Sequence, residues 1–323
     1  MPSQIWAQRI ALALSLVLLA AACQKQSPPD TTPPAVLSTS PADGQRGVLK
    51  DVELVVHFSE SMDPACSEAA YSSNDPGLRP GEVTFAWDDA ATLRVRPSDP
   101  LAYSQDENDK VYAFTIRKTA CDRAGNPMTA QHVTRFYVLR KLTGTLYSEA
   151  ALDGHVASDG RVFDGRPDLG AGDGPNNVYA QAFLSFDLGL LNPDPVEVLQ
   201  AQLLLRKEQV MGSPAADLGA LIVEHVYFGA SLQRLGARAL ELEALEPDEP
   251  CSFDDLSGAW FTCWKPGAVQ NDVDHWLAHS GRSQFRLRFL RNNDGDGAED
   301  SVQFYSGDAT HDQPQLVLRY YAP

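Results

Sequence analysis

Short runs in which apolar and polar residues alternate, separated by turn residues, occupy most of this chain. Residues 52–58 (VELVVHF) predict a strand with one face buried. Residues 83–87 (VTFAW) alternate until Asp88-Asp89 turns the chain, and residues 92–97 (TLRVRP) and 111–116 (VYAFTI) alternate again. The same period of two returns at 182–188, 201–206, 221–226, 285–290, 302–305 and 316–320. Val273-Asp274-His275-Trp276-Leu277 has helical spacing and predicts one or two turns. So many short strands predict an all-β chain, an Ig-like β-sandwich followed by a jelly-roll β-sandwich. A length of 323 residues suits two domains, and 22 Pro with 23 Gly suit strands and turns.

The N-terminus breaks this pattern. Arg9 precedes an apolar run from Ile10 that ends in Ala20-Ala21-Ala22-Cys23. The run is too short for a comfortable transmembrane helix, which needs about 20 apolar residues. It resembles a bacterial lipoprotein signal, a family in which the cysteine becomes the first mature residue and carries lipid. The family prefers Leu three residues before the cysteine, where this chain has Ala20. The alternative is an ordinary signal-peptidase cut after the Ala run. The resemblance implies a signal peptide at 1–22 and a lipid on Cys23 that anchors the protein to the cell envelope. Gln24 after the cysteine is compatible with outer-membrane sorting. Residues 23–34 are polar and Pro-rich, which predicts an extended tether rather than a core.

Charge and cysteine count narrow the compartment and the partners. A net charge of -17 repels nucleic-acid phosphates and acidic lipids. It suits calcium, or simply solubility. Of five cysteines, Cys66, Cys121, Cys251 and Cys263 remain once Cys23 is set aside. Four allow three connectivities. They fall two and two between the expected modules, so Cys66–Cys121 and Cys251–Cys263 is the economical pairing in an oxidising compartment, with free buried thiols as the alternative. None has the CxxC spacing of a zinc or redox site.

Within residues 35–140, four motifs follow in order: Thr39-Ser40-Pro41-Ala42-Asp43-Gly44, Phe58-Ser59-Glu60-Ser61-Met62-Asp63, Trp87-Asp88-Asp89 with Thr92-Leu93, and Asp122-Arg123-Ala124-Gly125-Asn126. Together they resemble the bacterial Ig-like domain of surface-layer and secreted proteins, which implies a spacer or interaction module rather than catalysis. Residues 141–323 resemble a DNRLRE-type jelly roll, related to carbohydrate-binding modules. The resemblance rests on the Asp/Gly-rich stretch 160–173, Phe183-Leu184-Ser185-Phe186-Asp187, Ala201-Gln202-Leu203, Phe285-Arg286-Leu287-Arg288-Phe289 and Phe304-Tyr305-Ser306. It departs at 232–262, an insert rich in Leu and Glu.

Candidate chemistry concentrates in the second module. Asn292, Asp294 and Asp296 stand at positions one, three and five of a calcium-loop pattern, with Gly297 at six. Position twelve is Gln303, so this is no EF-hand, and Asp300 or Asp187 would have to supply the missing acid. The bland alternative is a solvated hairpin turn. Asp159, Asp164, Asp168 and Asp173 read as a second acidic loop, solvated. His275 and His279 are four apart, but without further ligands nearby they do not suggest zinc. Trp260, Phe261 and Trp264 flank Cys263. They are either a sugar-stacking platform or a satellite core on the Cys251–Cys263 bridge, the commoner fate of aromatic side chains. No GxSxG, free-thiol Cys–His arrangement or phosphate-cradling loop is present. The expectation is a non-enzymatic, lipid-anchored envelope protein whose jelly roll binds a glycan or another surface component. Structural calcium is the one expected cofactor. A purely structural surface-layer component and a polysaccharide hydrolase are the alternatives.

Overall fold

The computed structural model describes residues 29–323, so Cys23 and the apolar run before it lie outside the described residues. The chain is all-β, with its sheets packed as sandwiches. By spatial proximity it divides into two compact units. One comprises described residues up to Asp43 with Glu53–Asp99 and Ala113–Thr134; the other comprises Gly44–Val52, Pro100–Tyr112 and Arg135–Pro323. Among the described residues no helix is long and apolar enough to cross a membrane.

Eight strands come first: β1 (Val36–Ser40), β2 (Gln45–Val48), β3 (Leu54–Phe58), β4 (Tyr71–Ser72), β5 (Val83–Asp89), β6 (Thr92–Pro97), β7 (Val111–Ile116) and β8 (His132–Val138). They form two sheets, ordered β1-β3-β6-β5 and β2-β8-β7-β4. The alternation in β3 does what it predicts: Leu54, Val56 and Phe58 are buried while His57 faces solvent. A short helix of about two turns, α1 (Pro64–Ala70), starts where Asp63 accepts from the Cys66 N–H and proline takes the first helical position. It brings Cys66 to Cys121, with their Cα atoms 5.8 Å apart.

Twelve strands follow: β9 (Arg140–Tyr147), β10 (Gly154–Ala157), β11 (Val162–Asp164), β12 (Asp168–Gly174), β13 (Val178–Asp187), β14 (Glu197–Met211), β15 (Leu221–His225), β16 (Ser252–Phe253), β17 (Trp260–Trp264), β18 (Arg282–Phe289), β19 (Asp300–Tyr305) and β20 (Gln315–Ala322). The long β14 divides them into layers. Its first part pairs with β20 and β17; its last part pairs with β19. Between the layers lies a core that includes Leu184, Phe186, Leu203, Phe285, Leu287, Phe304 and Leu318. On the opposite side of β13, Phe183 joins Val226, Phe228 and Leu232 in a second, smaller core. The insert after residue 225 supplies that cover through α3 (Leu232–Leu235) and the 3-10 turn Gly236–Glu241. Two other helices complete the unit, α2 (Pro214–Asp217) and α4 (Pro266–Asp274).

Between β8 and β9 the chain passes through a single, fully buried residue, Leu139. One stretch differs from its expected form. The Gly-rich stretch around Asp168 and Asp173, expected as a solvated loop, is the interior strand β12, paired with both β13 and β19. Glycine makes this possible. Gly172 has φ +125, and a Cβ there would run into the backbone oxygen of Asp300.

Candidate functional site

β17 is short, and its two faces differ. Phe261 and Cys263 are buried, while Trp260 and Trp264 are 46% and 52% exposed. Phe261 sits edge-on to Phe253 and to Phe304, and Cys263 lies with its Cα 5.8 Å from that of Cys251. The period of two therefore separates residues that sequence reasoning treated as one aromatic group. The bridge and Phe261 face the core, and the tryptophans face out.

The outward row continues across the layer. Trp264 stands opposite Gln202 and Trp260 opposite Arg206 on β14, and Thr262 opposite Leu204. Gln202 meets Val317 on β20, and Val317 meets Thr145 on β9. Four residues of strand put the two indoles about 13 Å apart. The Arg206 guanidinium lies 5.5 Å from the Trp260 ring centroid and 3.8 Å from Asp312. None of these ladder positions carries a carboxylate, in a chain of net charge -17.

The acidic loop lies at the far end of β14. Asp294, Asp296 and Asp300 each present an oxygen within 4.8 Å of the others. Asp294 and Asp296 are exposed, and Asp300 is buried at the start of β19. The Asp294 side chain accepts from the Asp296 N–H, and that of Asp296 from the Ala298 N–H. Asn292 turns to Gln181, whose amide nitrogen is 3.4 Å from its side-chain oxygen. Asp187, the other acid considered from sequence, caps the Gly189 N–H. Of the second acidic stretch, Asp159 faces Arg161 and Asp168 faces Arg166, but Asp173 is only 1% exposed. Its Oδ2 lies 3.4 Å from the Asp294 N–H. Burial, then the charges of Asp294, Asp296 and Asp300, push its carboxyl above the usual range.

A third cluster centres on three buried groups, His225, Asp272 and Lys265. His225 Nε2 lies 3.0 and 3.1 Å from the two Asp272 oxygens, and His279 Nδ1 lies 2.7 Å from Asp272 Oδ1. His275 Nδ1 donates to the Asn271 carbonyl instead. Beside them the buried Lys265 donates to Val223 O at 2.8 Å and to Glu249 O, and pairs with Asp248. These bonds pin β15 to α4 from inside. Sequence reasoning passed over His225, Asp272 and Lys265. The available signal was a charged, polar pair at the end of an apolar run, Leu221-Ile222-Val223-Glu224-His225. Glu224 is answered in turn by Arg286 and Arg288 from the neighbouring β18.

Residues 30–138 match the family described as bacterial Ig-like domain. No curated protein matches the chain. Among solved structures, an L,D-transpeptidase from Mycobacterium smegmatis is 16% identical over 68% of this chain and 73% of its own, with a TM-score of 0.24. The N-terminal part of the bacterial S-layer protein SbsC is 13% identical over 57% of this chain and 45% of its own, also at 0.24. Likenesses this low leave the functional reading to the residues themselves. What is shown of kinship is confined to one stretch: residues 30–138 are a bacterial Ig-like domain.

Proposed function

We propose that the chain is an exported, non-enzymatic envelope protein in which the Ig-like domain is a spacer and the second sandwich, a jelly-roll module of carbohydrate-binding type, grips a glycan across β17 and β14. A lipid on Cys23 and the Pro-rich residues 23–34 would tether it. The observation that carries the reading is the pair of half-exposed tryptophans on one ladder whose facing β14 positions, Gln202, Leu204 and Arg206, carry no carboxylate. Indole faces stack on the apolar faces of sugar rings, and the neighbouring Gln202, Thr262 and Arg206 supply donors and acceptors for hydroxyls. A spacing of about 13 Å spans more than one sugar ring, which suits a polymer rather than a single sugar.

Binding of neutral and acidic polysaccharides to the full-length chain tests this directly. Trp260→Ala and Trp264→Ala should each weaken the best ligand at least tenfold, about 1.4 kcal/mol, with unchanged melting temperature. No binding to any glycan, together with ordered self-assembly, would replace this reading by a purely structural one, which the Ig-like domain alone would also suit. Membrane-fraction recovery of Cys23→Ala tests the anchor: the variant should leave that fraction.

A further inference from the structure

We propose that Asp173, Asp294, Asp296 and Asp300 form a calcium site that clamps the end of β12 to the loop between β18 and β19. The sandwich register brings them together. Asp173 stands directly opposite Asp300 on the neighbouring strand, and the two are only 1% and 5% exposed. Like charges directly opposite each other destabilise a ladder, and burial adds to the cost unless something answers them.

The protein answers them only in part. Asp300 Oδ1 accepts from the Ser213 N–H. Asp173 Oδ1 is buried without any partner, and so is the side-chain oxygen of Gln181. An unpartnered buried oxygen on Asp173, which feels the charges of Asp294, Asp296 and Asp300, calls for a cation. The spacing suits calcium. Calcium–oxygen distances of about 2.3–2.6 Å place donors on opposite sides of one ion about 5 Å apart, and the three loop carboxylates converge within 4.8 Å. The donors are all oxygen, with no nitrogen or sulfur, which disfavours zinc and copper. Several carboxylates on a Gly-containing loop suit the larger, geometrically tolerant calcium better than magnesium, which keeps much of its water.

The loop is held ready for the ion. The Gly297 N–H donates to the Asn177 side chain at 3.0 Å, and the Asn176 N–H approaches the Gly297 carbonyl. Asn176 and Asn177 both take positive φ, so the turn after β12 reaches toward the acidic loop. The acid missing at the twelfth position of the loop pattern is thus supplied by strands, as Asp300 from β19 and Asp173 from β12.

The experiment is a calcium titration of the full-length chain after chelation, read by calorimetry and by melting temperature, with magnesium in parallel. One ion per chain should bind, and near-saturating calcium should raise the melting temperature by about 5–10 °C, magnesium by much less. Asp173→Asn should raise the melting temperature of the calcium-free protein, by removing the repulsion, while weakening calcium at least tenfold. Asp296→Asn, at an exposed position, should leave the calcium-free melting temperature unchanged and also weaken calcium. Absence of heat and of any shift at about millimolar calcium, the range of extracellular modules, would overturn the proposal, as would undiminished calcium binding in both variants.

Discussion

Among the described residues two groups of carboxylates converge, and they are held differently. In the Ig-like domain, Asp30, Glu60 and Asp122 bring their oxygens within 4.8 Å, as Asp294, Asp296 and Asp300 do in the second sandwich. Asp122 is as buried as Asp173, at 2% against 1% exposure. Yet both Asp122 oxygens accept at 2.7 Å from Asn126, one from its backbone and one from its side-chain amide. Burial pushes the Asp122 carboxyl up, but the amides of Asn126, Ala124 and Gly125 outweigh it and hold the group below its ordinary value. Asp173 has one long bond and one unanswered oxygen. Convergence of acids is therefore a poor sign of a metal. An oxygen left without a donor is the better one.

The Asp122 cluster is also fastened covalently, because Cys121 precedes it and bonds Cys66 in α1. The difference predicts which region responds to which insult. Cys66→Ala with Cys121→Ala should cost about 4 kcal/mol by loop entropy, from a separation of 55 residues, whether or not calcium is present. Urea unfolding with and without chelator checks both halves of that statement. Breaking Cys251–Cys263, with a separation of 12, should cost about 3 kcal/mol.

Asp153 supplies a third case, a buried acid with no acidic ring. It accepts from the Ser148 hydroxyl at 2.7 Å and the Gly307 N–H, and its Oδ1 has no partner. Burial pushes its carboxyl up to about 6 from 3.8. A raised carboxyl favours the protonated native state, so its stabilisation is present below 3.8 and is lost as pH rises through about 6. The loss approaches about 3 kcal/mol, and Asp153→Asn should flatten it in a pH series of unfolding curves. Asp173, also raised, should give the calcium-free protein the same sign, and calcium should reverse it by competing with protons. Asp122, lowered, has the opposite sign: its contribution is lost as pH falls through its folded value, below 3.8.

Smaller effects sharpen the contrast. Gly172→Ala should cost about 2–3 kcal/mol through backbone strain and weaken calcium as well, since the added Cβ meets the Asp300 backbone. Differential scanning calorimetry in calcium and in chelator separates the two losses. Least of all, Trp260→Ala and Trp264→Ala should change stability by no more than about 0.5 kcal/mol, measured by the same unfolding curves.

Alternation made the sandwiches legible. Strands such as β3 and β7 bury side chains with a period of two, and their sequence shows it; in β18 the alternation of Phe285-Arg286-Leu287-Arg288-Phe289 is visible in the sequence, but the insert covers its second face and Arg286 is buried too. β12 was illegible for a physical reason. Asp168-Leu169-Gly170-Ala171-Gly172-Asp173-Gly174 has almost no side chains with which to alternate, and only the close approach of β19 explains its glycines. Since Asp173 rides on that strand, its place opposite Asp300 was hidden too. The acidic loop itself was legible from Asn292, Asp294 and Asp296, but the burial that gives Asp173 its chemistry is a product of register. The outward tryptophans were half legible. Trp260-Phe261-Thr262-Cys263-Trp264 alternates, yet it straddles the end of the insert at 262, with no motif of the resemblance to say which face is buried.

The ladder β17-β14-β20-β9 has a mechanical meaning as well. A pull that entered at Arg140, where β9 begins, and left through a polymer at Trp264, as proposed above, would cross every strand of that layer. Loaded along the strands, such a ladder shares force among many hydrogen bonds at once; loaded across them, it would open bond by bond. β14 spans about 50 Å at 3.3 Å per residue and belongs to both layers, so it spreads that load beyond the face that takes the grip. If the proposed grip on a glycan holds, a sheet-switching strand would be a good beam for it.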